Sequence, residues 1–472
     1  MPFPTLARMS GVYTYTYSSP SRLTPGQGLV LSTSAQPGRP PGPAFFRGFA
    51  ARPGVVAAGL LAVAEVARAR YFQPADVAVR DPVITSDGAM LRLESFSDCC
   101  GVHARLDLLP AGLDGALGGR GTTNVDVGEP LRRALARTDD AGLLHLAVGD
   151  DLTVTTGDGA VIERTVPLPR RWVRGFAEVQ VLSAALEPRF ALDGAAAVAF
   201  LNGLGGAGRA TGAGWVVPSG RGARTTSRAV PGAVCLPGPA RLGALRPLLR
   251  YARALRAYGP PVRAGAPPAV SAWELQLPDA RLVLTLSPEV RRGFSGEGAL
   301  LHGLAASGPS PSASDVPPDA DRVLAGLRSL EEAGGGSAVA VDAIAQVAGL
   351  PAERVRAALT SLGASGRVGF DVTTAGYFVR ELPYRPRAVE RDNPRLAAAR
   401  TLVDAGAVGR PDPGGDAVEV VRDGRRHRVR REGGRWSCTC PWYAANGRER
   451  GPCAHVLAAQ LAGVLPDDGS VR

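Results

Sequence analysis

Apolar and polar positions follow two different periods along the chain, and the changes of period divide it. Val55 to Arg70 is apolar on almost every side, the pattern of a largely buried helix. Met90 to Phe96 and Val102 to Leu108 alternate residue by residue and predict strands. Leu143 to Val148, Leu152 to Thr156 and Ala160 to Val166 predict a meander, with Gly149-Asp150 and Gly157-Asp158 as its turns. Leu242 to Tyr258, built from Arg, Leu and Ala, predicts a helix. Trp273 to Leu277 and Arg281 to Leu286 predict a hairpin around Pro278-Asp279. Mixed periods of this kind predict an α+β region over residues 1–304, divisible into two lobes.

Stretches without apolar periodicity mark the breaks. Ser19 to Pro43 and Gly203 to Arg228 read as irregular. Ala305 to Asp319 (AASGPSPSASDVPPD) carries four prolines and four serines and reads as an interdomain linker over 305–319. The following segment, 320–385, predicts a helix over Asp321 to Glu332, with Val323, Leu324, Leu327 and Leu330 on one face. Helices over Val341 to Ala348 and Ala352 to Leu362 come next, then a hairpin over Arg367 to Val372 and Tyr377 to Arg380. That order is winged-helix-like. Its second paired helix would expose Glu353, Arg354, Arg356 and Thr360, a mixed surface in which Arg354 and Arg356 are the candidate nucleic-acid contacts. A connector over 386–415, containing the break Arg410 to Gly415, leads to a last unit over 416–466.

Composition narrows the chemistry. The 472 residues include 54 Lys+Arg against 43 Asp+Glu, and no lysine stands among them. Phosphate-loop lysines, Schiff-base lysines and kinase-type lysines are therefore excluded. A net charge of +11 suits a nucleic-acid partner, but arginine without lysine beside abundant Ala, Gly and Pro also fits a bias in base composition. The longest apolar stretch, Val55 to Ala67, is too short to span a bilayer and is interrupted by Glu65. The start has no signal-peptide pattern. Six cysteines do not make a disulfide framework, so the expectation is a cytoplasmic protein without a membrane association.

The strongest chemical signal is Cys438-x-Cys440, twelve residues, then Cys453-x-His455. Three thiolates and an imidazole make a closed tetrahedral site for one structural Zn2+, leaving no open position for substrate. Strand patterns over Ala417 to Val421, Arg426 to Arg430 and Arg435 to Cys438 precede it, and Cys453 to Val464 predicts a helix. Residues two apart on a strand point to one side, which suits the first cysteine pair. A unit of some 50 residues with so small a core would draw folding energy from the metal. Alternation also places Arg426, Arg428 and Arg430 on one face, a candidate phosphate-contacting surface or a solvated face that offsets the zinc–thiolate charge. His427 falls on the opposite side, a packing position.

At these residues the chain resembles the SWIM zinc finger. The likeness covers about Ala417 to Leu465 and includes Trp436, Pro441 and the apolar Val456-Leu457-Ala458. The longer arrangement, with Gly121 to Val127 (GTTNVDV) and Tyr377 to Tyr384 (YFVRELPY), resembles actinobacterial SWIM-family proteins. The resemblance implies Cys438, Cys440, Cys453 and His455 as zinc ligands and a binding role toward DNA or proteins. It also implies partnership with an AAA-type ATPase or a von Willebrand A-like protein.

Other features carry less. Arg-Gly-Phe recurs at Arg47, Arg174 and Arg292, about 120 residues apart, which raises internal repetition against chance in so Arg- and Gly-rich a chain. Cys99-Cys100 with His103 is read as buried thiols on a strand. Gly203-x-Gly205-x-x-Gly208 lacks the acidic residue a dinucleotide site needs. No nucleophile elbow is present, and no histidine pairs with a nucleophile. The expectation is therefore no enzyme, but an adaptor or interaction protein. The alternative is a DNA-binding regulator using the winged-helix-like segment together with the basic hairpin.

Overall fold

The computed structural model describes residues 44–71, 82–117, 119–204, 213–290, 293–294, 298–306, 318–334, 338–382, 393–432 and 435–464, with short strands between 16 and 35. Most of the 305–319 span and residues 205–212, which hold part of the glycine motif, lie outside them.

An eight-stranded antiparallel sheet organises the N-terminal region. In chain order its strands are β1 (Val83–Asp87), β2 (Leu91–Phe96), β3 (Val102–Leu108), β4 (Arg120–Asn124), β5 (Glu187–Asp193), β6 (Ala254–Gly259), β7 (Ser271–Leu277) and β8 (Ala280–Leu286). Their spatial order is β4-β1-β2-β3-β8-β7-β6-β5. One face is apolar. Leu91, Leu93, Ala104, Leu106, Leu282, Leu284, Trp273 and Leu275 share a core with α1 (Pro53–Arg68) and a 3-10 helix (Pro239–Tyr251). Because α1 is covered by the sheet and by its neighbours, it is buried on nearly every side, as its unbroken apolar run predicts. A five-stranded sheet containing Phe46–Ala50 and the 145–163 meander adjoins this layer.

The other face is ionic, and it is equally buried. Alternation puts Arg92, Glu94, His103, Arg105, Asp107 and Arg281 on it. It is covered by the Arg170–Ser183 helix, whose Phe176 lies against Phe96 and His103, and by the middle segment. That segment consists of α2 (Pro318–Ala333), α3 (Val341–Ala348), α4 (Ala352–Ala364), β9 (Val368–Asp371) and β10 (Gly376–Val379). Gly349 takes the left-handed conformation at φ 61° and ends α3 before the Pro351 start of α4. The β9–β10 wing lies on the sheet. Asp371 accepts from both Arg105 and Arg281, and Arg380 donates to both oxygens of Glu94 at 2.9 Å. The guanidinium of Arg92 pairs with Asp87 and lies 4.1 Å from the Phe378 ring centroid. Glu381 N donates to Thr122 Oγ1 at 3.2 Å, so the GTTNVDV and YFVRELPY segments meet at this seam.

Several expectations need correction. The Leu242 to Tyr258 helix is instead the 3-10 helix followed by β6, because Pro247 has no N–H for an α-helical ladder. The Gly203 to Arg228 stretch contains two strands, Ala213–Ser219 and Gly222–Thr226. The 386–415 connector contains a helix, α5 (Pro394–Asp404), and a strand, β11 (Val408–Pro411). The first two Arg-Gly-Phe copies have no common structure, one lying in a strand and the other inside the Arg170–Ser183 helix, and Arg292 of the third lies outside the described residues. Cys99-Cys100 sits in the turn between β2 and β3, with Cys100 at φ 53°, and not on a strand.

Candidate metal centre

Four strands make the last sheet: β11, β12 (Ala417–Arg422), β13 (Arg425–Glu432) and β14 (Arg435–Cys438). Asp423-Gly424, both at positive φ (51° and 71°), close the β12–β13 hairpin in the turn that Asp-Gly favours. Two helices follow, α6 (Pro441–Arg450) and α7 (Ala454–Leu461).

Each ligand is placed by an element end. Cys438 ends β14. Cys440 is the N-cap of α6, where its Sγ accepts the Tyr443 N–H at 3.3 Å. Cys453 is the N-cap of α7, and His455 lies in its first turn. Two thiols therefore sit at helix N-termini, where the backbone dipole favours the thiolate. The α6 helix was not legible as a helix from apolar periodicity, because its large apolar side chains, Trp442 and Tyr443, are adjacent and the alanines that follow, Ala444 and Ala445, face solvent. Pro441 directly after a capping side chain was the available signal.

All four side chains are buried, and their ligand atoms lie within 4.8 Å of one another. His455 Nδ1 is 3.8 Å from Cys438 Sγ and 3.9 Å from Cys453 Sγ. Ligand bonds of about 2.3 Å to sulfur and 2.0 Å to nitrogen give tetrahedral edges of about 3.5–3.8 Å, so the donor set and spacing fit one zinc ion. The pocket's own electrostatics call for a cation. A hydrogen bond from Cys438, with others from His455 and Cys440, pushes the Cys453 thiol down to about 4. The same bond, with burial, holds the Cys438 thiol far above its ordinary range, and burial raises Cys440. Three thiolates cannot share so small a buried space unless a positive ion lies between them.

Second contacts fix the centre. The His427 ring lies over His455 at 4.3 Å between centroids, so His427 packs as its position on the sheet predicts. Tyr443 OH donates to Trp436 O, and Arg395 of α5 lies 4.9 Å from the Trp442 ring centroid while donating to Pro452 O at 2.8 Å. The apolar side of α7 (Val456, Leu457, Ala458 and Leu461) joins Leu396 and Leu402 of α5 and Leu300, Leu301 and Leu304 of another helix, Ala299–Ala306.

The candidate nucleic-acid residues separate from this centre. Arg426, Arg428 and Arg430 share the exposed face of β13, each against a carboxylate: Glu419 at 3.2 Å, Asp412 at 2.5 Å and Asp416 at 3.1 Å. Arg354 pairs with Asp319 at 2.7 Å, and Arg356 is exposed on the N-terminal half of α4. The C-terminal half of α4 is covered by the Arg170–Ser183 and Ala299–Ala306 helices. Thr360 is half-buried and faces Gly303 of the latter.

Comparison with known proteins gives two family matches, the SWIM zinc finger over 427–462 and the DprA winged helix domain over 307–369. No curated protein matches the chain. Among solved structures, it is similar to Proliferating Cellular Nuclear Antigen from Entamoeba histolytica at 11% identity and TM-score 0.34, and to the PCNA2-PCNA3 complex from Sulfolobus tokodaii at 9% and 0.36. Each likeness covers 52% of this chain and 99% of that chain. At these scores neither the fold nor the role of the N-terminal region follows from them. Among the described residues, no helix is long and apolar enough to cross a membrane.

Proposed function

From a chain that carries a SWIM zinc finger and a winged-helix segment, we propose a non-enzymatic adaptor in which one structural zinc holds a protein-binding end in shape. The observation that carries this reading is the burial of the wing. A DNA-reading winged helix needs its second paired helix free for the major groove. Here the wing is engaged by Arg105, Arg281 and Glu94, and half of α4 is under other helices. The finger's arginine row is matched by carboxylates, which weakens its field toward phosphates. Four protein ligands around zinc leave no coordination position for catalysis. The partner class is a proposal resting on the resemblance: an AAA-type ATPase or a von Willebrand A-like protein, in the cytoplasm.

A DNA-binding regulator is the second reading, favoured by the exposed Arg356 and by the winged-helix match. Co-purification from the host separates the two. The adaptor reading expects a defined protein recovered with the intact chain and lost with Cys440→Ala, while the N-terminal sheet stays folded by near-UV circular dichroism. Equal recovery with both forms, or recovery of DNA that depends on Arg356, contradicts it.

A further inference from the structure

The net charge of the chain is not spread over it. Ten of the 54 arginines and none of the 43 acidic residues fall between 194 and 273, so all other residues together carry a net charge of only +1. Even spacing would put about seven acidic residues in such a segment. A bias in base composition explains arginine in place of lysine, but it does not explain the missing carboxylates.

Nine of those arginines are described. Only Arg241 is buried, held by the carbonyls of Ser287, Glu289 and Val290. The rest are exposed, and among the described residues none of them is in an ion pair. This contrasts with Arg426, Arg428, Arg430 and Arg354, each of which faces a carboxylate. The segment folds as one end of the N-terminal region. The hairpin of Ala213–Ser219 and Gly222–Thr226 packs on the Gly194–Gly203 helix, which packs in turn on the 3-10 helix. Arg221, Arg224 and Arg228 come from the hairpin and the turn after it, and Arg246 and Arg250 from the 3-10 helix. A groove of about 550 Å³ lies between the Gly194–Gly203 helix and the hairpin, with Arg221 and Arg224 among its lining residues.

We propose that this end binds the phosphate backbone of duplex nucleic acid without reading its sequence. Unpaired guanidiniums are forked donors suited to phosphate oxygens. Of the segment's large aromatics, Phe200, Trp215, Tyr258 and Trp273 are buried, and half-buried Tyr251 has its ring under the Arg250 guanidinium at 4.7 Å, so among the described residues no exposed ring offers the stacking platform of a single-strand binder. Among the described residues, the exposed large apolar side chains, Leu143, Ile162, Val347 and Val421, all lie outside it, which disfavours insertion into an anionic membrane.

The test uses the zinc-loaded full chain and a mixed-sequence duplex of about 30 base pairs, titrated from about 50 to 200 mM salt. With about five phosphates neutralised, log K should fall against log salt with a slope of about −4.5. Arg221→Gln/Arg224→Gln/Arg246→Gln/Arg250→Gln should flatten the slope by about 3.5 and weaken binding at least about tenfold, whereas Arg426→Gln/Arg428→Gln/Arg430→Gln should leave it unchanged. Absence of duplex binding at about 50 mM salt overturns the proposal. So does equal loss in the finger variant, tighter binding of single strands, or tighter binding of phosphatidylserine vesicles. Zinc content and melting temperature check that the variants are folded. Should the four-fold variant unfold, amide exchange on the unaltered chain decides: slowing by duplex over 213–228 and 239–253 supports the proposal, and slowing elsewhere alone contradicts it.

Discussion

Cys440 has two tasks at once, capping α6 through Tyr443 N and offering a thiolate to the centre. Cys440→Ala should therefore abolish stoichiometric zinc and loosen α6 together. Elemental analysis and the Trp436 and Trp442 fluorescence would register both, and a variant that keeps full metal content contradicts the assignment. Protons follow the metal. Cys438 and Cys440 are held up as thiols while Cys453 is already acidic. Zinc uptake near pH 7 should then release about two protons, read by calorimetry in buffers of different ionisation heat, and affinity should fall as pH falls. Uptake without proton release contradicts this. The four ligands were legible in the sequence because metal chemistry accepts few atom types at few spacings. The carboxylates facing Arg428 and Arg430 were not, because Asp412 and Asp416 lie in the turn between β11 and β12, and the apolar pattern of β11 is too short to announce that turn.

Among elements, the wing is the one whose surroundings define it. Asp371 and Asp107 together hold Arg105 and Arg281, so Asp371→Ala leaves two buried guanidiniums sharing the single carboxylate of Asp107 and should cost about 3–5 kcal/mol in a urea melt. A cost below about 1 kcal/mol would mean the wing is not held this way. Burial opposes ionisation of Glu94 and Asp371, yet Arg380 in the first case and Arg105 with Arg281 in the second hold both well below the usual carboxylate range. Their stabilisation is present above the unfolded carboxylate value of about 4 and is lost as pH falls toward their folded values. The stability gap between the natural chain and Asp371→Asn should be constant from about pH 8 to 5 and shrink below about pH 4. A gap that widens in acid contradicts it. The strands of this sheet were legible because their alternation is regular. What covers the ionic face was not, since Arg105 and Asp371 are 266 positions apart and nothing local couples them.

For the whole molecule, the finger is not an appendage. Its helix α7 shares a core with α5, with the Ala299–Ala306 helix and with Ala177 of the Arg170–Ser183 helix, and His302 Nδ1 lies 3.2 Å from Gln460 Oε1. Removing zinc with a chelator should accordingly raise amide exchange in residues 299–305 and 394–404 as well as in the finger. Exchange changes confined to 417–461 would show the two parts to be independent. The most direct test of the account as a whole is zinc K-edge absorption on the purified full chain. One zinc per chain, bound by three sulfurs at about 2.3 Å and one nitrogen at about 2.0 Å, is the predicted result. A shell containing water or carboxylate oxygen, or a folded chain free of zinc, would contradict it.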